Sequence, residues 1–256
     1  MTPLDPKAKE EITSRLDFSG TLTVGVEHEP ALKRVLGHRV RTPKDYVEAG
    51  CRIAAKYRFA TVACWPFQLD WTVERLEGKF PKTQMVVNFP YGTMPLEMAL
   101  LQMKWGLDRG AEEIDAVVPV HFLQTGDYRS VRRYVRELQG NAIRFGGIEV
   151  KFIIRIGDLM RTEEEIRTLR RVRAAARAVA EGGGAYVKTC TGWEDGKATV
   201  RIVRTLKETV EGFGTKVKAS GGITCLEDGL NLIEAGADRI AGRWPVVAQL
   251  EYEERR

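Results

Sequence analysis

Short apolar runs alternate with longer amphipathic stretches along most of the chain. The runs TLTVGVEH (21–28), ATVACWP (60–66), QMVVNFP (84–90), EIDAVVPV (113–120), EVKFIIRI (149–156), AYVKTC (185–190), KVKASGG (216–222) and DRIAGRW (238–244) predict eight β-strands. Helical patterns fall between them at 42–58, 95–110, 127–141, 162–181, 197–211 and 225–235, with a weaker one near 68–78 and a last in the tail, 246–256. Thr42-Pro43 opens the first of these as a helix cap, and Thr162 with Glu165 three residues on has the spacing of a capping box. Gly110, Gly182 and Gly236 stand just past helix ends, where a left-handed residue is needed.

Strand–helix alternation repeated eight times implies a parallel sheet, either closed into a (β/α)8 (TIM) barrel or left open and doubly wound. The count of eight favours the barrel. No linker or low-complexity segment interrupts the pattern. Residues 1–256 therefore read as a single domain, with 1–20 as a short helical extension before the first strand. In such a barrel, chemistry belongs at the carboxyl ends of the strands, and polar residues collect there.

Composition narrows this further. With 256 residues and 43% hydrophobic side chains the chain can bury one sizeable core. No apolar run approaches the length of a membrane span, and MTPLDPKAKEEITSRL lacks the apolar core of a signal peptide. Cys51, Cys64, Cys190 and Cys225 are scattered, without a CxxC pair or a nearby His, so reduced thiols in a cytoplasm are expected, and neither a disulfide frame nor a metal site. The net charge of +5 permits an anionic partner. In RTEEEIRTLRRVRAAARAVA, however, acids interleave with bases, as on a solvated helix face and unlike a nucleic-acid patch. Neither a nucleic-acid nor a membrane partner is expected.

Three charged residues sit where strands should be buried. Lys188 lies near the carboxyl end of strand six, Lys218 at a similar height on strand seven, and Asp115 inside strand four. A single buried charge is usually explained by a salt bridge. Two lysines on adjacent strands are harder to dismiss, because each depresses the other's pKa and burial depresses both. A neutral amine is what a lysine needs to attack a carbonyl and form a Schiff base. Asp115 could relay protons or hold the second lysine charged. Thr191 and Gly192 follow Lys188 at the mouth. Gly221-Gly222, leading into a helix, can present backbone N–H groups to a phosphate, although such a pair is often only a tight turn.

The segments VVNFPYG (86–92), GAEEIDAVVPV (110–120), AYVKTCTGW (185–193) and VKASGGITCLEDGLNLIEAGADRI (217–240) resemble those of deoxyribose-phosphate aldolase, a class I aldolase family on a (β/α)8 barrel. The resemblance runs from about residue 45 to 240 and preserves the spacing between segments. It implies that Lys188 forms the Schiff base, that Lys218 is the second lysine and that Asp115 is the proton-relay acid. Lys151 matches a lysine the family places inside strand five, and with Thr191 and Gly192 it is expected among the substrate-binding residues. No cofactor is implied, and the partners it implies are a phosphorylated sugar or aldehyde and further copies of the chain, as a dimer or larger.

Departures from that family bear on substrate. The family's strand eight usually ends in a Gly-Thr-Ser-Ser type turn that binds phosphate, where this chain has Ala241-Gly242-Arg243-Trp244. Gly242-Arg243 is more similar to the phosphate site of archaeal-type class I fructose-bisphosphate aldolases. VGVEHEP resembles the Asp-His that opens the barrel in both families, with Glu27 in place of Asp. Arg155-Ile156 stands where the family tends to have Glu-Thr. If Lys151 points inward, strand parity points Arg155 inward too, toward the mouth. There it would bind an added carboxylate or phosphate, or else pair with Glu27, Glu29 or Asp115.

His121 is expected to be structural, Trp65, Phe67 and Trp71 to pack, and Cys190 to fill space. The function expected is therefore a Schiff-base aldolase of phosphorylated sugars. The alternatives are a related aldolase with a fructose-bisphosphate-like or carboxylated substrate, or a barrel without turnover that binds an anionic metabolite.

Overall fold

A computed structural model describes residues 5–20, 31, 34–35, 42–160, 165–193 and 195–254. Eight parallel strands close in sequence order into a barrel. They are β1 (Leu16–Ser19), β2 (Thr61–Cys64), β3 (Lys82–Val87), β4 (Glu113–Val117), β5 (Val150–Ile153), β6 (Tyr186–Lys188), β7 (Lys216–Ala219) and β8 (Arg239–Gly242). The expected barrel is correct, and seven of the expected strands overlap observed ones.

The first strand is not where the pattern placed it. LDFS pairs with β2 through Asp17 opposite Thr61 and with β8 through Asp17 opposite Ala241, so β1 lies inside the supposed extension. The longer β-branched run 21–28 carries the stronger sequence signal but lies outside the described residues. Among the described residues, the helix Pro6–Ser14 precedes β1.

Helices start where local chemistry caps them. Thr42 and Asp45 form a reciprocal capping box at the helix Pro43–Lys56. Asp127 and Thr199 accept the backbone N–H of Ser130 and Ile202 at the helices Tyr128–Arg144 and Val200–Val210. Thr162 lies outside the described residues, so its expected cap does too. Gly110 and Gly236 are left-handed as expected, whereas at the third helix end that role falls to Gly183, not Gly182. Among the described residues, no helix is long and apolar enough to cross a membrane.

Strand parity divides the barrel into two unlike layers. Phe18, Val62, Met85, Ile114, Phe152, Val187, Val217 and Ile240 face the helices and form the apolar jacket, each 0–2% exposed. Trp244, just past the carboxyl end of β8, packs into this jacket edge-on to Phe18 at 5.2 Å and to Tyr46 at 5.7 Å. The residues between them point inward. Here Asp17, Gln84, Asp115, Lys151, Lys188 and Lys218 fill space that barrels commonly give to Val, Ile and Leu.

Two strands end earlier than the apolar pattern suggests. β4 stops at Val117 because Pro119 starts the short helix Val120–Thr125. β5 stops at Ile153 because Arg155 takes a left-handed φ of 45° and begins the helical turn Ile156–Leu159.

Candidate active site

Register brings the three embedded charges together. Lys188 and Lys218 are direct neighbours across β6 and β7, while Asp115 reaches both from β4. Lys188 Nζ lies 2.5 Å and Lys218 Nζ 2.8 Å from the same oxygen, Asp115 Oδ2. Lys218 Nζ is also 2.5 Å from Asp17 Oδ2, and Arg239 Nε donates to Asp17 Oδ1 at 2.9 Å. Arg239 continues to Glu113 at 3.2 Å, and Glu113 ion-pairs with Lys151. Gln84 Oε1 accepts from Lys151 at 3.0 Å and from Lys218 at 3.3 Å. The result is an alternating chain of charge, Arg239–Asp17–Lys218–Asp115–Lys188, that ends at an amine facing open space.

The sum of this network matters. Three buried lysines (Lys151, Lys188 and Lys218) and half-buried Arg239 meet three buried carboxylates (Asp17, Glu113 and Asp115), and exposed Lys82 reaches Glu113 from outside at 3.8 Å. Counted with Arg239, the cluster holds one more cation than acid, and loss of one proton balances it. Lys188 is the one placed to give it up, because it shares a single acid with Lys218, which has two. Burial pushes the Lys188 amine down, Asp115 pulls it back, and Lys218 pushes it down again, leaving a pKa of about 8. Lys218 is equally buried, but Asp115 and Asp17 outweigh that and raise its pKa. Burial also opposes ionisation of Asp115, yet Lys188, Lys218 and Lys151 overcome it and hold the carboxyl at about 2. Asp17 stays well below the usual carboxylate range because Lys218, Arg239 and Lys151 together outweigh its burial.

Above the network lies a cavity of about 290 Å³. Among the residues expected at the site, Lys188, Lys218, Asp115, Thr191, Gly192, Gly221, Gly222 and Arg243 line it. Gly221 and Gly222 have φ of 94° and 75°, and the side chain of Lys197 lies over Gly222, within 2.8 Å of where a Cβ would stand. Arg243 and Lys197 are exposed at this edge and have no ion pair among the described residues. On the opposite side Phe89 and Trp193 form an aromatic wall, with Trp65 edge-on behind them at 5.2 and 6.0 Å.

Three expectations need correction. Lys151 is fully buried below the cavity and is answered by Glu113, so it is a floor residue and does not line the cavity. Arg155 does not reach the mouth: parity fails past Ile153 because of its left-handed backbone, and it pairs with Asp158, a partner not among those foreseen. Gly242 is buried outside the cavity, where a Cβ would meet Leu16 at 2.8 Å, so only Arg243 of the Gly-Arg pair lines the site. Glu27 lies outside the described residues, and Asp17 is the acid that strand one supplies.

Asp17 carried a signal, a lone acid between Leu16 and Phe18 like Asp115 between Ile114 and Ala116, but the run is short. Lys197 carried none: the pattern puts it at the start of the helix 197–211, whereas the observed helix begins only at Val200 and leaves Lys197 in the loop after β6. His121 is exposed on its short helix and lies outside the cavity. Phe67 packs edge-on to Trp71 at 6.2 Å. Cys190 is buried, and desolvation pushes its thiol up to about 12, which leaves it protonated and inert.

No family model matches the chain. Among curated proteins, it is 33% identical over 213 residues to a deoxyribose-phosphate aldolase of Thermoanaerobacter sp. (strain X514), covering 82% of this chain and 91% of the relative. It is 37% identical over 201 residues to a deoxyribose-phosphate aldolase of Thermococcus gammatolerans, covering 78% and 84%. Among solved structures, a tetrameric deoxyribose phosphate aldolase from Aeropyrum pernix superimposes with a TM-score of 0.76 at 24% identity, over 97% of this chain and 93% of that one. A putative deoxyribose-phosphate aldolase from Coccidioides immitis gives 0.78 at 23% identity, over 96% and 87%. At these identities the structures show a shared fold.

Proposed function

This chain belongs to the deoxyribose-phosphate aldolase family, and from that membership we propose that it is a class I aldolase in which Lys188 forms the Schiff base. The observation that carries the reading is the open end of the charge chain: a buried amine with pKa of about 8, half-shared with one carboxylate, facing a cavity of substrate size. At pH 7 a pKa of 8 leaves roughly one amine in ten neutral, against about one in three thousand for an ordinary lysine.

In the synthetic direction, neutral Lys188 attacks the carbonyl carbon of an aldehyde donor, and the resulting carbinolamine loses water to give an iminium. That cation draws electrons from the neighbouring carbon, which gives up a proton and becomes the enamine carbon. The enamine then attacks the acceptor aldehyde, forming the new C–C bond, and water returns Lys188 as the free amine. Cleavage reverses these steps. With 2-deoxyribose 5-phosphate, an imine at the aldehyde carbon directs scission to the second bond, releasing a two-carbon aldehyde and a three-carbon aldehyde phosphate. Asp115 is suited to carry protons between the amine and the reacting oxygen. Lys218, held charged by two acids, is suited to keep Asp115 ionised and to favour a neutral Lys188.

Arg243, Lys197 and the N–H groups of the Gly221-Gly222 turn would receive the phosphate end, with Thr191 and Gly192 flanking the carbon chain. The tetrameric relative supports a homo-oligomer for this chain as well, which light scattering would measure. The decisive experiment is borohydride trapping with 2-deoxyribose 5-phosphate followed by peptide mass spectrometry. A reduced two-carbon adduct on Lys188 is expected. An adduct on another lysine, or none across a panel of sugar phosphates, would overturn the assignment.

A further inference from the structure

Arg155 is 5% exposed and lies behind the cavity wall. Its guanidinium touches three separate loops. Nε pairs with Asp158 on the turn after β5, and Nη1 donates to the Pro90 carbonyl after β3 at 2.7 Å. The same Nη1 stands 3.9 Å from Asp195 Oδ2 in the loop after β6, and the ring of Tyr91 lies 5.5 Å from the guanidinium carbon.

Asp195, 1% exposed, spends its carboxylate on the backbone of the segment that follows Lys188. Thr191 N–H donates to Oδ2 at 2.5 Å and Gly192 N–H to Oδ1 at 3.1 Å. Its carbonyl accepts from Gly157 N–H at 2.7 Å, and a Cβ on Gly157 would come within 2.5 Å of the Asp195 backbone. The loops after β5 and β6 therefore meet backbone to backbone, and only glycine fits there. Pro90 follows Phe89, and Asp195 lies two residues after Trp193, so the segments Arg155 joins carry both halves of the aromatic wall.

We infer that Arg155, Asp158 and Asp195 form a latch that fixes the cavity wall built by the loops after β3 and β6, making Arg155 and Asp195 positioning residues for the chain of the substrate. The inference rests on the aldolase reading of the cavity. Lysine cannot replace Arg155 fully, because one ammonium cannot reproduce a planar fork spanning Asp158 and Pro90. Among the described residues the latch makes no hydrogen bond or ion pair with the Lys188 amine, whose partner is Asp115, so its loss acts on the fit of a long substrate and spares the chemistry of a small one.

The test compares wild type with Arg155→Gln, Arg155→Lys, Asp195→Asn and the Arg155→Gln/Asp195→Asn double variant. Cleavage of 2-deoxyribose 5-phosphate is followed alongside borohydride trapping of acetaldehyde on Lys188. Arg155→Gln and Asp195→Asn should each raise KM about tenfold with kcat within about threefold, and acetaldehyde trapping should keep its wild-type rate. Arg155→Lys should fall between, and the double variant should be no worse than about twice the weaker single, as for two members of one unit. A KM within about twofold of wild type in both singles, full additivity, or a trapping rate that falls in step with KM would overturn the latch.

Failure of wild type itself to trap any aldehyde would sink the aldolase reading separately. In that event Trp193 decides for the latch, through acrylamide quenching taken as the difference from a Trp193→Phe background. Quenching at least about doubled in both single variants supports a latched wall, and unchanged quenching removes it.

Discussion

The floor of the barrel and its rim hold similar charges under opposite conditions. On the floor, Asp17, Glu113 and Asp115 answer Lys151, Lys218 and Arg239 within hydrogen-bond or ion-pair distance, all buried except Arg239, which is half-buried. At the rim, Arg243 and Lys197 stand exposed beside a glycine turn, with no acid to meet them among the described residues. Paired buried charge cannot capture a ligand, but it sets the protonation of whatever ends the network. Unpaired exposed charge does little to an amine's pKa and is free to meet an anion. Lys188 sits at the boundary, tuned from below and open above.

The largest effect that separates the two regions is expected from Lys188→Met. Mass spectrometry should find no adduct and turnover should fall by at least about 10⁴-fold, while circular dichroism stays that of the wild type. A residual rate within about tenfold would place the nucleophile elsewhere.

Lys218→Met tests the floor's control over Lys188. Asp17 keeps Arg239 and Asp115 keeps Lys188, so the fold should persist. Lys188 then loses a repelling neighbour and has Asp115 to itself, so its pKa should rise. The pH midpoint of kcat/KM should move above about 8, with a rate loss of about 10²-fold or more at pH 7. A midpoint that stays put or falls would mean that Lys218 does not hold Lys188 down.

At the rim the expected losses are smaller and of another kind. Arg243→Ala should raise KM for a phosphorylated substrate about tenfold, and Lys197→Ala about threefold, with kcat held. Both variants should flatten the rise of KM with added salt. Equal loss with an unphosphorylated aldehyde would show that these cations do not meet the phosphate.

The smallest effect is on stability. Folding lowers the Lys188 pKa from 10.5 to about 8, so between those values the unfolded chain holds more of this proton than the folded one. The group's contribution to unfolding free energy therefore rises with pH across that window, and its cost is fully present below pH 8. Urea titrations at pH 7 and 9 should show this dependence in wild type and its loss in Lys188→Met.

Much of the site was legible because three strands break a simple rule. Asp115, Lys188 and Lys218 are charges inside apolar runs, and strand periodicity places them on a common interior face. Asp17 breaks the same rule, but four residues of LDFS give periodicity little to act on beside TLTVGVEH. Arg155 was misplaced for a different reason: extrapolating inward–outward alternation assumes an extended backbone, and the chain turns left-handed there. Lys197 reaches the cavity through a loop whose path no periodic signal encodes. For Lys151 the strand pattern leaves inward orientation a condition, and only three-dimensional pairing with Glu113 assigns it to the floor.

The protonation of Lys188 can be followed directly by the pH dependence of acetaldehyde adduct formation at that residue, trapped with cyanoborohydride and quantified by mass spectrometry. The rate should rise tenfold per pH unit below the amine's pKa and level off near pH 8. A rate still climbing at pH 10, as for an ordinary lysine, would show that the buried network does not tune this amine.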